Sequence, residues 1–377
     1  MKFLLIYVPN LRFNNAPYKE YNLYEFATRI TRKNKDNVSN LPLTISAQYG
    51  LVDQVSFFNK TVASKDMSGY YLLKNGEFAY NKSYSNDYPW GAIKRLDLYD
   101  MGCLSTLYIC FKTNDNIVNS NYLVHYFESS KWHKQVADIA GEGARNHGLL
   151  NIAVNAFFNT KHAVPTIENQ IKIAGFLDLI EERIQTQIKI IEDYKALKKK
   201  ISKQVIGSQK PNTHIYECLE NNSSSSKESD FDEYTEGQFP IYGANGVIKH
   251  INSYLIDIPS ISIVKDGAGV GRTRFLYGKY TVIGTLNYLT SKNGYDLLYL
   301  YYALDNLDFT KYIVGSGIPH IYFKDYKHEM IYIPKDEKTI NKIVRCLSSL
   351  DLLIHNEQNL LLYLTKQKEY LLNNMFI

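Results

Sequence analysis

Two stretches of this chain, 165–206 and 334–377, follow one plan, and few folds accommodate that. In the first, Ile173, Leu177, Ile180, Ile184, Ile191, Tyr194 and Ile201 hold the a and d positions of a heptad pattern. In the second those positions fall to Ile343, Leu347, Leu350, Ile354, Leu361, Leu364 and Leu371, each 170 residues further on. The polar interruptions keep the same offset, Gln187 with Glu357 and Lys198 with Lys368. Each stretch reads as a long amphipathic helix entered through a proline, Pro165 or Pro334, and each follows a segment rich in Tyr, Ile, Gly and Asn. The predicted order is a first globule over 1–164, a helix over 165–206, a second globule over 207–333 and a helix over 334–377.

An a/d stripe cannot stay in water, so each helix needs a partner of similar length, and the other copy is the obvious one. Because the first helix carries the chain from one globule to the next, antiparallel packing lets the second return, with an approximate two-fold axis near the midpoints. Gln187 and Glu357 either face one another there and help set register, or are solvated breaks in the stripe. About 40 residues at ~1.5 Å each make a rod of roughly 55–60 Å. Two globules on such a rod suit a ligand with its own long repeat, and duplex DNA offers about 16 base pairs over that length. Globules of similar plan and different sequence imply a bipartite, asymmetric target.

Composition excludes little. The net charge of +5 and pI near 8.6 permit a polyanionic ligand without requiring one. Cys103, Cys110, Cys218 and Cys346 lack metal-ligand spacing and read as reduced thiols. The opening MKFLLIYVPN is too short an apolar run for a membrane span and lacks a cleavage-like site, so the expectation is a soluble, cytoplasmic protein.

The globules repeat as well. Leu23-Tyr-Glu-Phe26 is echoed by Ile215-Tyr-Glu-Cys218, Pro42 to Gly50 by Pro240 to Gly246, Phe78 to Lys82 by Ile261 to Lys265, and Gly102 to Tyr108 by Gly284 to Tyr288. Aromatic segments of helical period follow, Tyr122 to Trp132 and Leu297 to Tyr312. Gly-bounded strands followed by short helices make each globule α+β. Asn221 to Lys227, polar and serine-rich, is predicted to be a mobile loop.

Val264-Lys-Asp-Gly-Ala-Gly-Val-Gly-Arg-Thr-Arg274 invites a dinucleotide reading, but Thr273 onward alternates as a strand instead of opening a helix, and no Gly-Lys-Ser/Thr follows. A Gly-rich strand-to-strand turn carrying Lys265, Arg272 and Arg274 suits close approach to DNA phosphates or guanine edges. The corresponding part of the first globule offers Lys82, Ser83, Tyr84, Trp90, Lys94 and Arg95. Ser46, Gln48 and Tyr49 in one globule and Asn245, Lys249 and His250 in the other supply hydroxyl, amide and cationic groups on matching turns. Arg145-Asn146-His147 and His320 follow matching Gly-x-Gly turns and either touch the groove or cap a helix. HExxH, GxSxG, methyl-transfer and nuclease carboxylate patterns are missing, which favours a binding protein.

Val8-Pro-Asn-Leu-Arg-Phe13, Val164-Pro-Thr-Ile-Glu-Asn-Gln-Ile-Lys-Ile-Ala-Gly-Phe-Leu177 and Lys366-Gln-Lys-Glu-Tyr-Leu-Leu-Asn-Asn-Met-Phe376 resemble the specificity subunits of type I restriction-modification systems. The resemblance spans the chain, and the second helix departs from it where Glu337-Lys-Thr-Ile340 stands in place of Glu-Asn-Gln-Ile. It implies a non-catalytic subunit whose two target recognition domains each read half of a split site in double-stranded DNA. It also implies partners: two methyltransferase subunits and two restriction subunits, which carry the S-adenosylmethionine, ATP and magnesium. Glu168, Gln170 and Lys172, on exposed helix faces, are the expected docking surface. Rival readings are a nucleic-acid enzyme with an unrecognised methyltransferase or nuclease activity, and a structural protein whose coiled coil joins two ligand-binding globules.

Overall fold

The same antiparallel sheet is built twice. In the computed structural model, which describes residues 18–46, 49–85, 88–141, 148–233 and 237–376, the first sheet runs Ala27–Arg29, Ile109–Thr113, Phe78–Asn81, Ala92–Arg95. The second runs Leu219–Ser223, Leu286–Ser291, Ser260–Val264, Thr273–Leu276, so the strands take their places in the same order. Each sheet is accompanied by a hairpin, Leu43–Ser46 with Gly50–Asp53 and Phe239–Gly243 with Gly246–Ile251. A parallel contact supports each hairpin, Pro42 beside Cys103 in one case and Ile241 and Tyr242 beside Thr281 and Val282 in the other. A short strand pair closes each globule just before its long helix, Lys19–Asn22 with Lys161–Val164 and Thr213–His214 with Met330–Ile331.

The chain divides into two units, Met1–Gln187 with Leu360–Ile377 and Ile188–Asn359. In the first, Phe78, Ala79 and Tyr80 are all fully buried, so this strand is covered on both faces and shows no alternation. One cover is the helix Ser120–Glu128, whose Phe127 meets the stacked pair Phe78 and Phe111 edge-on. In the second unit Ile261, Ile263 and Leu289 are buried in one cluster with Tyr299, Leu300 and Leu304 of the helix Leu297–Leu304.

Two sequence expectations need correction. Asn221 to Ser223 belong to the edge strand Leu219–Ser223, paired through its backbone to Leu286–Ser291, with Asn222 Nδ2 donating to Thr290 Oγ1 at 3.1 Å. An edge strand is held by its ladder and tolerates polar side chains, which is why composition misled. Gly102 and Gly284 are not counterparts: Gly102 lies within the strand Met101–Leu104 against Leu43, whereas Gly284 follows the strand Thr281–Val282 and its amide donates to the Ser226 carbonyl.

The long helices span Ile167–Ser202 and Glu337–Met375, 36 and 39 residues. At ~1.5 Å per residue they measure about 54 and 58 Å. The first ends in a wider turn, Lys203–Gly207; the second is started by Asp336, whose Oδ1 accepts from the Thr339 amide. In the first unit Lys368 near the end of the second helix meets Glu181 in the first half of the first helix, 2.6 Å apart. In the second unit Lys198 near the end of the first helix meets Asp351 in the first half of the second, also at 2.6 Å. The helices therefore pack antiparallel. Leu177, Ile180, Ile184, Gln187, Ile191, Leu347, Leu350 and Ile354 are buried on this stripe, and Glu357 and Leu361 are half-buried.

Candidate nucleic-acid interface

In the second unit the Gly-rich segment is a hairpin loop joining Ser260–Val264 to Thr273–Leu276, with Ile263 opposite Thr273 and Ser262 opposite Arg274. Gly267, Gly269 and Gly271 have φ of 88°, 84° and 85°, a conformation side chains resist, so glycine is required at all three. The Arg272 guanidinium lies over Gly269, in space a Cβ there would fill. The loop is fastened on its other side: Gly267 N donates to the Pro319 carbonyl, Ile321 N to that of Lys265, and His320 Nδ1 is 2.7 Å from Asp266 Oδ1. Arg274 packs by Tyr242, 6.0 Å from the ring centroid, and near Gly246, which brings it to the exposed Asn245 turn.

The structure thus gathers Lys265, Arg272, Arg274, His320 and Asn245 around one loop end. Among the described residues, none of Lys265, Arg272 and Arg274 pairs with a carboxylate. Unneutralised cations beside a glycine backbone can approach phosphate or base edges closely. Lys249 is placed differently: its Nζ donates to the Phe231 carbonyl. A cleft beside the loop is lined by Lys265 and His320 together with Asn221, Asn287, Lys324 and Lys327, four residues that sequence reasoning did not single out. Lys324 and Lys327, three apart around the short helix Phe323–Tyr326, share a face, a spacing visible in the sequence.

The first unit turns its cations inward. Lys94 meets Glu128 at 3.3 Å, and Arg95 is held by Asp97, Ser120 and Asn121 at 2.6, 2.9 and 2.7 Å. Both were expected to face the ligand, but their strand packs against the helix Ser120–Glu128, which supplies Glu128, Ser120 and Asn121, while Asp97 follows the strand itself. Ser46 is buried and its Oγ accepts from the Tyr49 amide, so it fixes a turn while Tyr49 projects at 63 % exposure. Tyr84 and Ser83 are exposed and anchored by Gly148 and Leu149, Lys82 is half-buried, and Trp90 contributes a carbonyl to Tyr80 Oη. Gln48 and Arg145 to His147 lie outside the described residues.

Burial alone would raise the Glu128 carboxyl, but Lys94 and Lys368 outweigh it and hold it below the usual range. Burial depresses His162 to about 4. Gln170 is not on a docking face: it is 1 % exposed, accepts from Asn119 N at 2.7 Å and donates to the Ile117 and Pro165 carbonyls. It occupies a stripe position three residues before Ile173, whereas Glu168 and Lys172 form an exposed pair at 2.7 Å. Among the described residues no group of His, Cys, Asp or Glu could hold a metal, and no helix is long and apolar enough to cross a membrane.

Comparison with known proteins agrees with this architecture. Residues 213–370 match the family model described as the type I restriction modification DNA specificity domain. No curated protein matches the chain. A crystal structure of a type I restriction-modification S subunit from M. genitalium superimposes with a TM-score of 0.62 at 16 % identity, covering 98 % of this chain and 99 % of that one. A chain from a structural study of assembly and conformational transition of the type I system gives 0.56 at 16 % identity, over 94 % and 96 %. The fold is that of two like-built globules, each followed by one of two long paired helices. The family match carries this one step further for one part of the chain: residues 213–370, most of the second globule and of the second long helix, are similar to the type I restriction modification DNA specificity domain.

Proposed function

We propose that this subunit reads a bipartite, asymmetric site in double-stranded DNA and positions methyltransferase and restriction subunits on it. The observation that carries the reading is one sheet order built twice with dissimilar ligand-facing chemistry, open cations in the second globule and paired ones in the first. Target recognition domains over 1–164 and 207–333 alternate with helices over 165–206 and 334–377. In the second domain Lys265, Arg272, Arg274, Asn245 and His320 contact DNA; in the first, Tyr49, Lys82, Ser83, Tyr84 and Trp90 do. Leu177, Ile180, Ile184, Gln187, Ile191, Leu347, Leu350, Ile354, Glu357 and Leu361 form the helix interface. Two methyltransferase and two restriction subunits join in the cytoplasm, and S-adenosylmethionine, ATP and magnesium belong to them; the exposed Glu168 and Lys172 serve the docking.

The test is to map methylated adenines in cells carrying this chain with its methyltransferase. One split motif with a fixed spacer is expected. An uninterrupted motif, or methylation independent of this chain, contradicts the reading.

A further inference from the structure

Each recognition globule is tied to the helix pair by a polar cluster, and three members of one cluster correspond to three of the other. Lys368 and Glu181 in one are Lys198 and Asp351 in the other, moved by the same 170-residue offset that relates the helices. The third member comes from the globule's own helix in each case. In the first unit Glu128, the last residue of Ser120–Glu128, binds Lys368 at 2.8 Å through one oxygen and Lys94 at 3.3 Å through the other. In the second unit Tyr302, within Leu297–Leu304, donates its hydroxyl to Asp351 Oδ2 at 2.7 Å, and Lys198 Nζ lies 5.1 Å from its ring centroid.

Burial makes these clusters directional. The lysine side chains are only 18 % and 14 % exposed, so a displaced partner would leave a charge short of both water and counter-charge. Apolar contacts elsewhere in the seam tolerate sliding, whereas a buried lysine between fixed acceptors does not.

We propose that Glu128 and Tyr302 are positioning residues for DNA specificity: each fixes the pose of its globule on the helices, and together they set the permitted spacer between half-sites. The proposal rests on the bipartite reading above. The clusters are unequal, since the first balances two lysines against two carboxylates while the second leans on a neutral phenol. Removing the Tyr302 hydroxyl leaves the pair of Lys198 with Asp351 intact, so it loosens the globule without unpinning the helices.

The test compares adenine methylation mapped across the genome for the full chain, Tyr302→Phe and Glu128→Gln, each with the methyltransferase subunits. Both variants are expected to keep the bases of both half-sites and to raise methylation at spacers one base pair longer or shorter about tenfold, the effect of losing a hydrogen bond to a charged group. Strict wild-type spacing in both variants overturns the proposal. Should Glu128→Gln fail to assemble, Tyr302→Phe decides alone, because it removes one buried hydroxyl. A wild-type chain that yields no split motif overturns the bipartite reading, an outcome separate from a split motif whose spacing the variants leave unchanged.

Discussion

At the scale of single residues, charge type did not reveal charge role. Lys94 and Arg95 look in the sequence much like Arg272 and Arg274, two cations close together on a strand after a glycine. What separates them is the neighbour: Glu128, Asp97, Ser120 and Asn121 claim the first pair, while nothing acidic among the described residues claims the second. Arg272→Ala and Arg274→Ala are therefore expected to reduce the dependence of log affinity on log salt by about one unit each, read by DNA-binding titration at several salt concentrations. Lys94→Ala should leave that slope alone and lower stability by about 1 kcal/mol, because half-buried Glu128 loses one of its two lysine partners and keeps Lys368. Acid gives a further residue-level prediction. His162 sits between Tyr126 Oη and Thr160 Oγ1, and since Thr160 donates to the Phe157 carbonyl, the neutral ring fits with Nδ1 accepting and Nε2–H donating. Its folded value near 4 lies below the ordinary 6.5, so the unfolded chain takes up this proton first. The contribution to stability is complete above pH 6.5 and lost as pH falls toward 4, a cost of about 3 kcal/mol. Thermal melts from pH 7 to 4 should show that loss, and His162→Gln should flatten it.

At the scale of elements, legibility followed periodicity. The heptad stripe named its own buried residues because a 3.6-residue helix presents one face to its partner, and Leu177 and Leu347 are fully enclosed. Leu347→Ala is expected to cost about 3–5 kcal/mol in chemical denaturation, as for other large-to-small changes in a packed core. The same arithmetic places Gln170 on the stripe, but its polarity suggested a docking surface. Only the structure shows that it binds the Asn119 amide and the Ile117 and Pro165 carbonyls, joining the helix start to its globule. Gln170→Ala orphans those groups and should lower the melting point through a loss of about 2 kcal/mol, without altering DNA affinity below that melt. The strand Leu219–Ser223 escaped notice for the opposite reason. Its ladder to Leu286–Ser291 is made by backbone, which leaves no trace in a run of asparagine and serine. The glycine loop was recognised as a strand-to-strand turn because Thr273 onward alternates, and its neighbours Lys324 and Lys327 arrive from a distant part of the chain that no local pattern announces.

At the scale of the whole molecule, the duplication organises everything else. One strand order recurs, one helix pattern recurs at a constant offset, and the ion pairs of Lys368 with Glu181 and Lys198 with Asp351 recur with it. Side chains at the loops proposed to read DNA do not recur, and that combination of shared frame and private chemistry is what the proposed split, asymmetric target asks of one chain. The claim is tested most directly by exchanging residues 207–333 for the matching globule of a relative with a different target and mapping the methylated motif. One half of the motif should change, while the other half and the spacer stay as they were. A change in both halves, or in neither, would contradict the claim.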